Sequence, residues 1–218
     1  EAAAAATDYA GWQIVMRYIE ALGGSEAVAG MAVALFCVVS VVCRPFIGWM
    51  LDNGKRKMIL AVGLLGMLLM PLGYLFLHTL LLAFVCRMVH GAALAFSNTS
   101  TATIATDSVP RSRFAEGMGI FGLATALATA VAPAIGLALM EKCGFSVLFL
   151  FGSLSIALAL VLFFLLKAPN IAVEKKPLSV KGLFDKNAVP ASLTAVVFMF
   201  TYGALENFAA KFAAEKGL

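Results

Sequence analysis

Residues Gly48 to Lys57 read GWMLDNGKRK, and thirty positions later the chain reads Arg87-Met-Val-His90-Gly91. The first stretch closes one long apolar run and the second lies inside another. A glycine, an acid and a basic cluster end a helix at a membrane face. An Arg and a His then follow within an apolar segment, where a charge is costly and has to be explained.

Composition agrees with that placement. Of 218 residues 62% are hydrophobic and 13% charged, against about 45–50% apolar and about 25% charged in a soluble domain. A spanning helix takes about 20 mainly apolar residues, and in lipid each segment has to satisfy its own backbone polar groups, which selects helices. Six spans are expected at Ala4–Leu22, Val28–Leu51, Met58–Leu77, Leu80–Ala105, Gly117–Met140 and Phe145–Leu166, with a seventh from about Val189. The almost unbroken apolar run from Met58 to Phe96 is divided at its polar dip, His78-Thr79.

The loops set the orientation. Ten Lys and Arg, from Lys55 to Lys186, lie in loops on one side, and Lys142 alone lies in the opposite loops. By the positive-inside rule the basic loops and the N-terminus face the cytoplasm, which makes the chain a multi-pass protein of the inner (cytoplasmic) membrane. The first segment has no basic leader, so no cleavable signal is expected. The net charge of +4 is a topology signal, and no nucleic-acid partner is expected. Cys37, Cys43, Cys86 and Cys143 form no CxxC pair and read as small hydrophobes, with no metal site. The Asn98-Thr-Ser100 sequon falls within a span, and no nucleophile, base and metal converge, so an enzyme is not expected.

The stretch 168–188 is the long polar segment, with Pro169, Pro177 and a cluster of lysines. It divides a bundle over 1–167 from a further helix over 189–218. The end of that helix repeats the end of the first: Gln13, Arg17 and Tyr18 match Asn207, Lys211 and Phe212 at equal offsets. A parallel repeat of two helical halves is a transporter architecture.

Several motifs together resemble the major facilitator superfamily. Gly48, Asp52, Arg56 and Lys57 match its loop motif GxLaDrxGrkx, except that Gly54 comes one residue early and Lys55 stands where the family prefers Gly. RxxHG resembles its fourth-helix motif, and Pro133 with Gly136 keeps the PxxG of its antiporter motif gxxxGPxxGg, with Ala128 and Ala132 replacing glycines. Asp107 to Gly119 is similar to the loop between the fourth and fifth helices of bacterial drug:proton antiporters. The resemblance implies an all-α membrane protein: a six-helix transmembrane bundle, half of a twelve-helix transporter, plus a seventh, unpaired helix. It implies a secondary active transporter that exports small, drug-like molecules by alternating access, with the proton gradient as energy source and no cofactor. The alternative is a transport-incompetent half-transporter that forms a homodimer by sharing or swapping that helix. Beyond the lipid bilayer, the expected partner is the small-molecule substrate.

The resemblance also assigns roles. Asp52 would latch the cytoplasmic side, with Arg111 or Arg113 as its charge partner, in a gating loop formed with Gly48 and Arg56. Arg87 would serve proton coupling. An intramembrane Arg costs at least about 2.5 kcal/mol, so it should face a carboxylate or a polar cavity, or else snorkel to the surface. His90 lies at i+3 on the same face. That face is expected to turn toward the first two spans, with Arg44 and first-span polar groups lining the same cavity. Arg17 and Gln13 of the first span and Tyr202, Glu206 and Asn207 of the seventh complete the expected substrate and proton pathway. A carboxylate at Glu206 could carry a proton, unless the helix end reaches solvent.

Overall fold

The structure, a computed structural model, describes residues 15–54, 56–76, 79–165, 177 and 186–201. Among these residues all regular structure is helical. Residues 15–21 are the described part of α1. Then come α2 (Glu26–Asp52), α3 (Arg56–Phe76), α4 (Leu80–Ser108), a 3-10 turn (Arg111–Arg113) and α5 (Phe114–Leu165). Among the described residues four helical segments, the last counted from Arg111, are long and apolar enough to cross a membrane.

Two of the joints follow from local sequence. Ser25 caps α2, its hydroxyl accepting from the Val28 amide at 3.4 Å, with Glu26 in the first turn, where the helix dipole favours an acid. At the other end of α2, Asn53 Nδ2 donates to the Trp49 carbonyl at 3.0 Å and Gly54 takes φ +91°, a left-handed turn that glycine enters without steric cost. The turn is therefore built on Gly54, one residue ahead of the position the family pattern prefers.

At about 1.5 Å per residue α5 would measure close to 80 Å if straight, far beyond a bilayer core of about 30 Å. Gly144, at φ +82° and ψ 176°, breaks it into two arms, at the loop expected from the polar Glu141–Gly144. The fifth and sixth expected spans correspond to these arms. The expected first and seventh spans lie largely outside the described residues, so the described part does not reach the six-plus-one count. Contacts divide the chain into Glu1–Pro177 and Leu178–Leu218. In the latter, Lys186–Ala188 is a 3-10 turn and residues 189–201 are helical (α6).

In the first unit α4 is the central helix. It packs against α2 and α3, and the second arm of α5 lies along α3. Ile156 of that arm is fully buried with Phe36, Met67 and Leu94. Tyr18, Tyr74 and Phe149 form an aromatic cluster in which the Tyr18 hydroxyl donates to the Tyr74 carbonyl at 2.9 Å. The first arm of α5 leaves Ile120, Leu123, Leu127 and Val131 exposed, as suits helices that lie against lipid. In the Ser/Thr-rich end of α4, Thr101, Thr103 and Ser108 donate to the carbonyls four residues back at 2.7–2.8 Å.

Candidate functional site

α4 carries the buried charge. Arg87 is 1% and His90 3% exposed, so Arg87 is buried between helices and does not snorkel. Its Cζ sits 4.2 Å from the centre of the Phe36 ring of α2, a cation–π contact. His90 meets the same ring edge to face, centroids 5.5 Å apart at 82°. On the α3 side the buried Tyr74 hydroxyl lies close to the guanidinium and has no well-aligned hydrogen-bond partner among the described residues. Nε and Nη2 of Arg87 and both ring nitrogens of His90 are buried and likewise unpartnered.

Small residues let the helices come this close. A Cβ on Gly91 would stand 2.4 Å from the Phe36 carbonyl oxygen, and one on Gly63 of α3 would stand 2.4 Å from the Ser97 amide nitrogen. The described span interiors offer the guanidinium no acid: no Asp or Glu occurs between Glu26 and Asp52, between Asp52 and Asp107, or between Glu116 and Glu141. Residues at i and i+3 hold their Cβ atoms about 5–6 Å apart. Two positive charges at that spacing repel by about 3 kcal/mol at an effective dielectric near 20. A proton on His90 thus conflicts with Arg87 in this arrangement.

Arg44 does not join this group. It is exposed on α2, two turns beyond Phe36, because the face of α2 that packs on α4 runs through Phe36, Ser40 and Ile47. Arg17 is also exposed. Gln13, Tyr202, Glu206 and Asn207 lie outside the described residues.

At the helix ends the expected latch is different from the one observed. Asp52 is exposed and makes no ion pair among the described residues. The inter-helix pair is Arg56 with Asp107, their side chains 18% and 21% exposed. Arg56 Nε also donates to the Leu51 carbonyl at 3.4 Å. The first residue of α3 therefore ties together the C-terminal ends of α2 and α4, where helix dipoles favour a cation. Arg113, expected to meet Asp52, instead makes a two-pronged pair with Glu116, Nε to Oε2 at 2.7 Å, because both sit three residues apart at the start of one helix. Gly48 is half-buried with nothing within 4 Å of an added Cβ. Pro133 is half-buried and Gly136 buried on the first arm of α5.

Two residues at these sites had signals of different strength in the sequence. Asp107 is an acid just before the loop Arg111–Arg113, at the helix ends that also carry Arg56, and the loop charges alone could have paired the two. Phe36 is one apolar residue in an apolar run, and nothing in the sequence marks it.

The Arg56–Asp107 pair is open to a direct measurement. Arg56→Gln and Asp107→Asn are each expected to lower stability by about 1 kcal/mol, as for a partly exposed pair. The double variant should cost little more than either single one, and Asp52→Asn should stay near zero. Thermal unfolding of the four proteins in one detergent is the check, and additive losses would deny the coupling.

Apolar helices long enough to cross a membrane, packed around a buried Arg and His, define an integral membrane protein. The model of the Major Facilitator Superfamily matches residues 2–218, and the chain belongs to that family. It is 24% identical over 200 residues to an uncharacterized MFS-type transporter of Methanocaldococcus jannaschii, covering 91% of this chain and 49% of the relative. Its fold is similar to a mutant of the peptide transporter POT in complex with alafosfalin, with TM-score 0.70 and 19% identity over 93% of this chain and 44% of that one. It is similar as well to the same transporter in complex with sulfate, with TM-score 0.67 and 18% identity over 96% and 44%. The chain thus spans about half the length of the proteins it matches.

Proposed function

We propose that this chain is part of a proton-coupled exporter of small, drug-like molecules, of the drug:proton antiporter type. The observation that carries the reading is the uncompensated Arg87 within α4, beside His90, in a span interior without acids. A buried cation at that cost points to function rather than to stability. Alternating access by two helical halves around a midplane site is the mechanism that suits a protein of about twice this length. The basic loops, Lys57 and Arg111 among them, face the cytoplasm in this reading, and Lys142 faces outward. The PxxG at Pro133 and Gly136 supports export over import.

In everted membrane vesicles containing the complete transporter, an imposed proton gradient should drive ethidium transport, and an uncoupler should stop it. Glu206→Gln should flatten the dependence of the rate on pH. Transport unaffected by the uncoupler would remove proton coupling, and an unchanged pH profile in Glu206→Gln would remove that residue from the proton path.

A further inference from the structure

We propose that Arg87, His90 and Tyr74 form a buried binding site for a carboxylate. The inference rests on the transporter reading and adds a ligand class to the same site. Three polar side chains from α3 and α4 converge there, each at least 97% buried, with the atoms that could bind a ligand unpartnered among the described residues. The free atoms of Arg87 are Nε and Nη2. Their hydrogens lie on one edge of the guanidinium plane, and that edge takes both oxygens of a carboxylate in two parallel hydrogen bonds. One face of the plane is already occupied by Phe36 at 4.2 Å, so the ring fixes the orientation of the fork, and an anion would bind at its edge, where Nε and Nη2 have no partner among the described residues. His90 and the Tyr74 hydroxyl can each donate a further bond.

The charge balance selects the ligand. A neutral amide would fill one donor and leave the cation uncompensated, whereas a carboxylate satisfies the fork and cancels the charge. No acid in the described span interiors can do so. The carboxylate therefore comes from a small molecule.

The chain contains two histidines, so His78→Gln leaves His90 as the source of all imidazole signals. The 218-residue chain carrying that change, labelled with nitrogen-15 histidine and held in lipid nanodiscs, is titrated with acetate and benzoate and, separately, with acetamide and benzamide. A saturable shift of the His90 signals by the carboxylates and not by the amides is expected. Arg87→Lys keeps the charge and loses the fork, and should weaken the midpoint at least tenfold. No response in any of these proteins, or an unchanged midpoint in Arg87→Lys, overturns it. The titration needs no proton gradient. Carboxylate binding without gradient-driven transport would sink the export reading and leave the site standing, and gradient-driven transport without binding would do the reverse.

Discussion

Arg87→Met is expected to raise the thermal midpoint of the purified protein by a few degrees and to abolish proton-driven transport. The guanidinium is 1% exposed, with Nε and Nη2 unpartnered among the described residues, and the Phe36 ring lies over it at 4.2 Å. A cation–π contact supplies about 2 kcal/mol when desolvated, less than the several kcal/mol that burying an ion costs. Methionine fills a similar length of the seam and carries no charge. Replacing buried ions with apolar side chains of similar volume is often neutral or stabilising, by roughly 1–4 kcal/mol. The repulsion between Arg87 and a protonated His90 would vanish as well, so proton binding would no longer be tied to the helix arrangement. Thermal unfolding and gradient-driven transport, measured on the same preparation, check both halves. A loss of stability would mean that a carboxylate already pairs with Arg87 in the folded protein. Transport at the parental rate would reduce Arg87 to a structural residue.

The spans around Arg87 were legible because lipid leaves the sequence few options: long apolar runs, polar dips and basic loops each have one physical reading. The break at Gly144 follows from Glu141-Lys-Cys-Gly in the same way. RxxHG announced a buried charge, since an Arg in such a run is too costly to be incidental. What Arg87 faces was not legible. Arg44 and Arg87 have equal claims by composition, and only the packing of α2 through Phe36 and Ile47 puts one inside and the other out. The expected pairing of Asp52 is absent among the described residues for a related reason. A motif marks which residues gather at a helix end, but the pairing depends on the angle at which the helices meet, and that angle brings Asp107 to Arg56.

Glycines let these helices approach closely, and they supply the second large effect. Glycine to alanine within a helix ordinarily stabilises by about 0.5–1 kcal/mol, because alanine has less conformational freedom to lose. Gly48→Ala should follow this rule, since nothing lies within 4 Å of the added methyl group. At Gly91 and Gly63 the sign should reverse. The methyl group would meet the Phe36 carbonyl oxygen at 2.4 Å in one case and the Ser97 amide nitrogen at 2.4 Å in the other. Backbone atoms cannot turn aside as a flexible side chain can, so α2 or α3 would have to move away from α4. Overpacking costs about 1–3 kcal/mol and occasionally more, and helices in lipid lose their main source of attraction when close packing opens. Gly91→Ala should also draw Phe36 off Arg87 and His90. The expected result is a lower thermal midpoint and a poorer monodisperse yield for Gly63→Ala and Gly91→Ala, with loss of transport in the latter. The two glycines lie on different seams, so the double variant should show roughly the sum of the two losses. If Gly91→Ala matched Gly48→Ala in stability, α2 and α4 would not meet as closely as Phe36 and Gly91 do here, and the shared ring between Arg87 and His90 would lose its basis.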